Sequence, residues 1–290
     1  MNRLRQAVLC TSENFRKWKT TPRIWMIGIV ILAFGLYDYP SLSLYARDTY
    51  GGMSSWILPF MFPTPTMVMT FGCMTTAFFC NAPFADRHMP FLAIRIGRMN
   101  WILGQVLYVI LAAAVYVGWY LLVSLICQLP NFNLSNEWGE AVRAMAAGQS
   151  PPSEYHVTIS MRDLIVDYFT PVEATLTALF LMWGVSVFIG FLVMMFNIIS
   201  GGTLGVAVAG VMIFLTYFST YFGQNILGGM IFWILPFSWC TIYGVNFWDI
   251  PNAPTFSYVV SVLIFASLVM AVVSAVVFCW KDMHVPKEEF

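Results

Sequence analysis

Charge is what this chain has least of. Its 290 residues carry 14 Lys and Arg against 14 Asp and Glu, a tenth of the total, while 59% are hydrophobic. A soluble domain has about a quarter of its residues charged. So little charge excludes a soluble globular protein, because the outside of a folded chain of this size could not be covered. A mean hydropathy of +0.75 puts the sequence among integral membrane proteins. The net charge of zero offers no general electrostatic pull, and no nucleic-acid partner is expected.

Other absences narrow the chemistry. The six cysteines (Cys10, Cys73, Cys80, Cys127, Cys240, Cys279) form no CxxC pair, and no Cys/His cluster has metal-ligand spacing. They read as packing residues, since free cysteine behaves as a small hydrophobe. No GxxxxGK[ST] occurs, so the chain has no ATP site of its own, and there is neither HExxH nor GxSxG. His88, His156 and His284 are isolated loop residues. No catalytic residue, bound cofactor or metal is expected. The apolar runs contain almost no ionisable group, which argues against a proton- or sodium-driven carrier. No secretory leader is expected either, because the first apolar run starts late and no small-residue cleavage site follows it.

What is abundant is long apolar sequence. A spanning helix takes about 20 mostly apolar residues, and six such runs read as spans: 23–39, 57–80, 100–128, 173–199, 203–222 and 257–280. The run 226–240 is short and broken by Gly228, Gly229 and Pro236, so it reads as a re-entrant or interfacial hairpin. With both termini cytoplasmic, eleven of the fourteen basic residues fall inside and only Arg47, Arg143 and Arg162 outside. Acids concentrate outside, and Trp25, Trp101 and Trp280 mark inner span ends. The expected fold is therefore all-α and multi-pass in the cell inner or plasma membrane: residues 1–22 an interfacial helix, 23–290 a six-span domain.

Three segments outside the spans carry pattern. In residues 2–20, Leu4, Val8, Thr11, Phe15 and Trp18 recur at helical steps, with Arg3, Arg5, Arg16, Lys17 and Lys19 mostly off that face. A basic, Trp-bearing amphipathic helix before a first span reads as lying on the inner leaflet. Arg5, Phe15, Arg16 and Trp18 are its candidate docking residues; a plain topogenic leader is the alternative. The stretch 81–98 interleaves Phe84, Phe91, Leu92, Ile94 and Ile96 with Asp86, Arg87, His88, Arg95 and Arg98. Its charges could not sit in lipid, where the four ions would cost on the order of 10 kcal/mol together. It is expected to be a cytoplasmic loop, either a docking element or a connector whose arginines only obey the inside rule.

The extracytoplasmic stretch 129–172 is expected to form a cap: a helix from an N-cap at Ser135 to a stop at Gly148, a short strand at EYHVTIS, and a second helix at MRDLIVDYF. The second span carries Pro59, Pro63 and Pro65 near its outer end and is dense in Met. Met67, Met74 and Asn197 are candidates for a substrate-pathway lining, with core packing for the methionines and a helix–helix tie or end cap for Asn197 as the alternative.

The whole layout resembles the ABC type-2 permease family, the membrane subunits of type V exporters. The resemblance rests on a cytoplasmic amphipathic helix before span one, the Asp86-Arg87 pair opening the loop after span two, Arg98, and then Trp101-Ile-Leu-Gly104-Gln105 opening a long third span. Gln105 stands where Lys is common in that family, and Pro90 interrupts the loop helix. The resemblance implies that Phe84, Asp86, Arg87, His88, Phe91, Arg95 and Arg98 form a coupling helix seated in a groove of a soluble ABC ATPase. It also implies two ATPase copies that bind ATP and Mg, and a second permease copy or related subunit completing twelve spans. The weakly charged spans suggest export of an apolar or amphipathic cargo: a lipid, peptide or natural product. A scaffold or sensor that binds a cytoplasmic regulator without transport is the other reading.

Overall fold

The computed structural model describes residues 3–84, 95–129, 131–223, 228–247 and 253–280. The described chain is almost entirely helical, with a single isolated bridge between Asn246 and Thr255. Among the described residues nine α-helices follow in order: α1 Arg3–Arg16, α2 Pro22–Tyr50, α3 Pro65–Phe79, α4 Arg98–Ile126, α5 Glu140–Ala146, α6 Asp163–Tyr168, α7 Pro171–Ser200, α8 Leu204–Phe218 and α9 Phe256–Trp280. A π-helical turn over Ser219–Gly223 prolongs α8. Five of these are long and apolar enough to cross a membrane: α2, α4, α7, α8 with its extension, and α9. The protein is an all-α, multi-pass membrane protein.

The expected second span takes another form. Residues 57–80 are not one helix: Leu58–Phe60 is a 3₁₀ turn, and α3 begins only at Pro65, with Thr64 accepting a hydrogen bond from the Met67 amide. The prolines cause the break, since each lacks a backbone N–H and disfavours helical geometry in the residue before it. Fifteen residues rise only about 22 Å, short of a hydrocarbon core about 30 Å thick. The first span is longer than expected. It continues through Pro40 to Tyr50 and ends at Gly51, whose φ of 78° closes the helix.

The helix ends gather at two poles. At one, Arg23 bonds the thiol of Cys80 and Arg98 donates to the Cys279 carbonyl (3.1 Å). There Asn197 bonds Cys80, Ala82 and Gly205. The starts of α2, α4 and α8 thus meet the ends of α3, α7 and α9. Arg5, Arg16, Lys17, Lys19, Arg23, Arg95 and Arg98 cluster here, and this is called the basic pole. At the other pole Ser55 donates its amide to Asn133 (2.8 Å), Trp138 donates to the Phe169 carbonyl (2.8 Å), and Phe169 packs on Phe247, which packs on Phe256. Helix α7 is the axis, the most buried of the long helices, with α3, α4, α8 and α9 around it.

Residues 129–172 do cover one pole, but with less regular structure than expected. Helix α5 starts at Glu140 rather than after Ser135. Gly139, at φ 80°, lies against the Met53 backbone and sets the start, and Ser135 instead accepts from the Glu137 amide in a local turn. Gly148, at φ 89°, follows the helix as expected. EYHVTIS is a 3₁₀ turn and extended chain rather than a strand, and α6 has only six residues. The segment 228–247 is a series of 3₁₀ turns whose Phe237, Trp239, Cys240 and Ile242 are buried against α7 and its neighbours.

Candidate functional site at the basic pole

Helix α1 does not lie free. It is docked along the first turns of α4. Its buried stripe is Ala7, Thr11 and Asn14, continued by half-buried Cys10, Phe15 and Trp18, whereas Val8 and Leu9 are each 49% exposed. The expected face, built on Val8, is therefore rotated toward smaller and more polar residues. The reason is Gly104. A Cβ there would stand 2.6 Å from the Cys10 Cβ and 3.0 Å from the Ala7 carbonyl, so the helices touch backbone to backbone. At that separation only small and hydrogen-bonding side chains fit between them.

The seam is polar and paired. Thr11 donates to the Gly104 carbonyl (2.9 Å), Asn14 to the side-chain oxygen of Gln105 (2.7 Å), and Asn100 to that of Gln6 (2.6 Å). Gln105, at 2% exposure, is thus a buried partner of α1. Burial pushes the Cys10 thiol up, so it stays protonated in this contact.

The four expected docking residues divide by direction. Phe15 and Trp18 point inward: Phe15 packs edge-on against Tyr108 (5.2 Å between centroids), and Trp18 donates to the Tyr108 hydroxyl (2.7 Å). Arg5 and Arg16 point outward, Arg16 in an exposed pair with Glu13. Only Arg5 and Arg16 are placed to meet another molecule, while the aromatic pair ties α1 to its own chain.

Of the expected coupling residues, Asp86, Arg87, His88 and Phe91 lie outside the described residues. Phe84 lies at the exit of α3 with a φ of 60°, a left-handed conformation uncommon for a bulky side chain. Its ring packs 4.7 Å from Tyr108, so Tyr108 holds Phe15, Trp18 and Phe84 together. Arg95 is exposed. Arg98 is half-buried and bonded to the Cys279 carbonyl, a cation at a helix C-terminus, where the dipole favours it.

Asn197 also belongs to this pole, where it takes the form of its alternative reading, a helix–helix tie at a helix end. Its amide donates to the carbonyls of Cys80 (3.2 Å) and Ala82 (2.7 Å), and its oxygen accepts from the Gly205 amide (2.8 Å). One buried side chain therefore fixes the α3 exit against the α7–α8 turn. Met67 and Met74 sit elsewhere, toward the capped pole, around a cavity of about 10 Å³ shared with Asp38 and Tyr120. That space holds about one water molecule. Asp38 is buried beneath the cap and accepts from the Thr158 hydroxyl (2.5 Å).

No described group of His, Cys, Asp and Glu could hold a metal ion. No protein-family model, no curated protein and no solved structure matches this chain.

Proposed function

We propose that this chain is the membrane subunit of an ABC transporter of the type-2 permease kind, driven by a separate soluble ATPase at its basic pole. In this reading it crosses the membrane six times, α3 and the turn before it serving as the second crossing. Both termini are cytoplasmic, 226–240 is re-entrant, and the membrane is the cell's inner or plasma membrane. The alternation of α2, α3, α4, α7, α8 and α9 between the two poles supports this path. The gathering of basic residues at one pole supports the orientation.

One observation carries the functional reading: the exit into 81–98 is bolted to the bundle. Tyr108 binds Phe84 to α4 and α1, and Asn197 binds residues 80 and 82 to α7 and α8. Force applied to the loop would reach three long helices through bonded contacts, the kind of contiguous network that can bias a two-state element. A permease without its own motor needs such a lever. ATP and Mg would be bound by two copies of the ATPase. A second copy of this chain, or a related subunit, would complete the pathway. Largely uncharged helix faces fit an apolar or amphipathic cargo.

Co-purification of the tagged chain from its native membrane, with ATPase activity assayed on the product, tests the reading. A stoichiometric ATPase is expected, and Asp86→Ala/Arg87→Ala should lower it at least ~10-fold, the loss of buried hydrogen-bonded charge pairs costing about 2–5 kcal/mol. The melting midpoint of the permease should not change. A well-folded preparation that carries no ATPase would overturn the proposal in favour of a scaffold or sensor.

A further inference from the structure

Helices α2 and α4 touch closely at one level. At Gly35 an added Cβ would lie 2.3 Å from the Val123 side chain. Toward the basic pole an apolar groove of about 680 Å³ lies between the two helices, bridged where Trp119 donates to the Gly28 carbonyl (3.1 Å). Trp25 and Ile29 form one wall, Gly118 and Trp119 the other, and Phe78 lies on the floor. Trp25 and Ile29 are more than 60% exposed, so the groove opens sideways, where a membrane-spanning helix meets lipid rather than water. Along α2 the lining runs from Ile24 to Leu32, a rise of about 12 Å at 1.5 Å per residue. The hydrocarbon of one leaflet is about 15 Å deep. The groove therefore has the length of one leaflet and, by volume, the size of an ordinary ligand pocket, about 300–1,000 Å³.

At its polar end stands Arg23, a cation that meets no carboxylate among the described residues. Arg23 precedes the first lining residue of α2 and reaches the floor element: its guanidinium bonds the Cys80 thiol and, at 3.5 Å, the Phe78 carbonyl. Among the described residues its buried Nε has no partner and the guanidinium meets no carboxylate. Lys19 is exposed nearby on the turn that precedes α2. A phosphate at this position would supply the missing anion, and Arg presents a planar fork suited to it.

We propose that the α2–α4 groove is a binding site for a phospholipid of the bilayer, its acyl chain lying between Trp25 and Trp119 and its phosphate on Arg23. The site is independent of any ATPase and needs only that the basic pole lie at a membrane surface. The chain shape matches the groove, and the charge matches its end. A second protein helix would fill the groove but would leave Arg23 unmatched unless it brought a carboxylate to that level.

Gly118 makes the proposal testable without disturbing the helices, because a Cβ added there meets no atom within 4 Å. The purified full chain would be delipidated in detergent and titrated with phosphatidylglycerol or the phosphate-free diacylglycerol of identical acyl chains, with bound lipid counted by native mass spectrometry. Wild type should retain one phosphatidylglycerol at least ~10-fold more tightly than diacylglycerol, about 1.4 kcal/mol. Gly118→Phe should lose both lipids, while Gly118→Ala keeps them. Arg23→Gln should lose the preference and keep the weaker chain binding. Undiminished binding by Gly118→Phe would overturn the site, and equal affinity for both lipids in wild type would overturn the role of Arg23. A shift of oligomeric state in Gly118→Phe, with no lipid bound by wild type, would assign the groove to a second copy and sink the proposal.

Discussion

Asn197→Leu should lower the melting midpoint by roughly 5–10 °C, taking about 2–4 °C per kcal/mol for a chain of this order. The side chain is 5% exposed and all of its hydrogen-bonding capacity used here is spent on backbone that no helix satisfies: two carbonyls at the α3 exit and an amide in the first turn of α8. Two opposing magnitudes bear on the size. Interhelical side-chain bonds in membranes average about 0.6 kcal/mol, because the reference state finds other partners. Leaving a buried backbone group unpaired costs about 1–3 kcal/mol. The second applies here, since Ala82 is 1% exposed and Gly205 is so tightly placed that a Cβ on it would stand 2.2 Å from the Val193 carbonyl. Neither group has room to turn to another partner, which gives a total of roughly 2–4 kcal/mol. Asn197→Asp should be worse than Asn197→Leu at neutral pH, because it keeps the acceptor for Gly205 but aims a carboxylate at two carbonyls. A midpoint within about 1 °C of wild type in Asn197→Leu would mean that water or a rotated neighbour replaces the staple.

The spans were legible because length and hydropathy alone decide them: the expected runs 100–128, 173–199 and 257–280 became α4, α7 and α9 with ends shifted by two residues or fewer. What composition could not convey was continuity. Pro40 is carried inside α2, while Pro59, Pro63 and Pro65 break 57–80, and the same residue type therefore gave opposite results. The difference lies in neighbours. Pro40 follows eighteen helical residues that hold its turn, whereas Pro63 and Pro65 stand two residues apart and no helix passes through them. The face of α1 was legible in part: Thr11, Phe15 and Trp18 of the expected stripe do face α4. But α1 packs on a glycine, and the side chains that fit such a contact include Ala7 and Asn14 in place of Val8. Gln105 carried the missing signal. It is a buried amide facing Asn14 rather than an exposed polar residue. Asn197 was visible as a polar residue in an apolar run, yet two of its three partners are 115–117 residues away in sequence, which no local pattern encodes.

Gly104→Leu should detach α1 while leaving the rest of the bundle assembled. Even the first carbon of the new side chain would overlap Cys10 Cβ and crowd the Ala7 carbonyl, and neither is the far end of a flexible group that could swing aside. Helix α1 must move out, and with it go the bonds Thr11–Gly104, Asn14–Gln105, Gln6–Asn100 and Trp18–Tyr108, on the order of 2–4 kcal/mol at about 0.5–1 kcal/mol each. An isolated helix of fourteen residues is marginal in water, so a released α1 would fray rather than persist. Trypsin reads this directly. Arg16 and Lys19 are exposed but sit in ordered turns, and cleavage there requires local opening. If opening becomes easier by 2 kcal/mol or more, cleavage should quicken about 30-fold. Cleavage elsewhere should be unchanged. The same variant separates two roles of the basic pole, because Tyr108 would lose Phe15 and Trp18 but keep Phe84. If a partner ATPase reads the α3 exit alone, it should still bind Gly104→Leu. If it reads α1 as well, through Arg5 and Arg16, its retention should fall in step with the new cleavage. Unchanged cleavage in Gly104→Leu would mean that α1 is held by Tyr108 alone, and that the close contact at Gly104 is a consequence of docking rather than its cause.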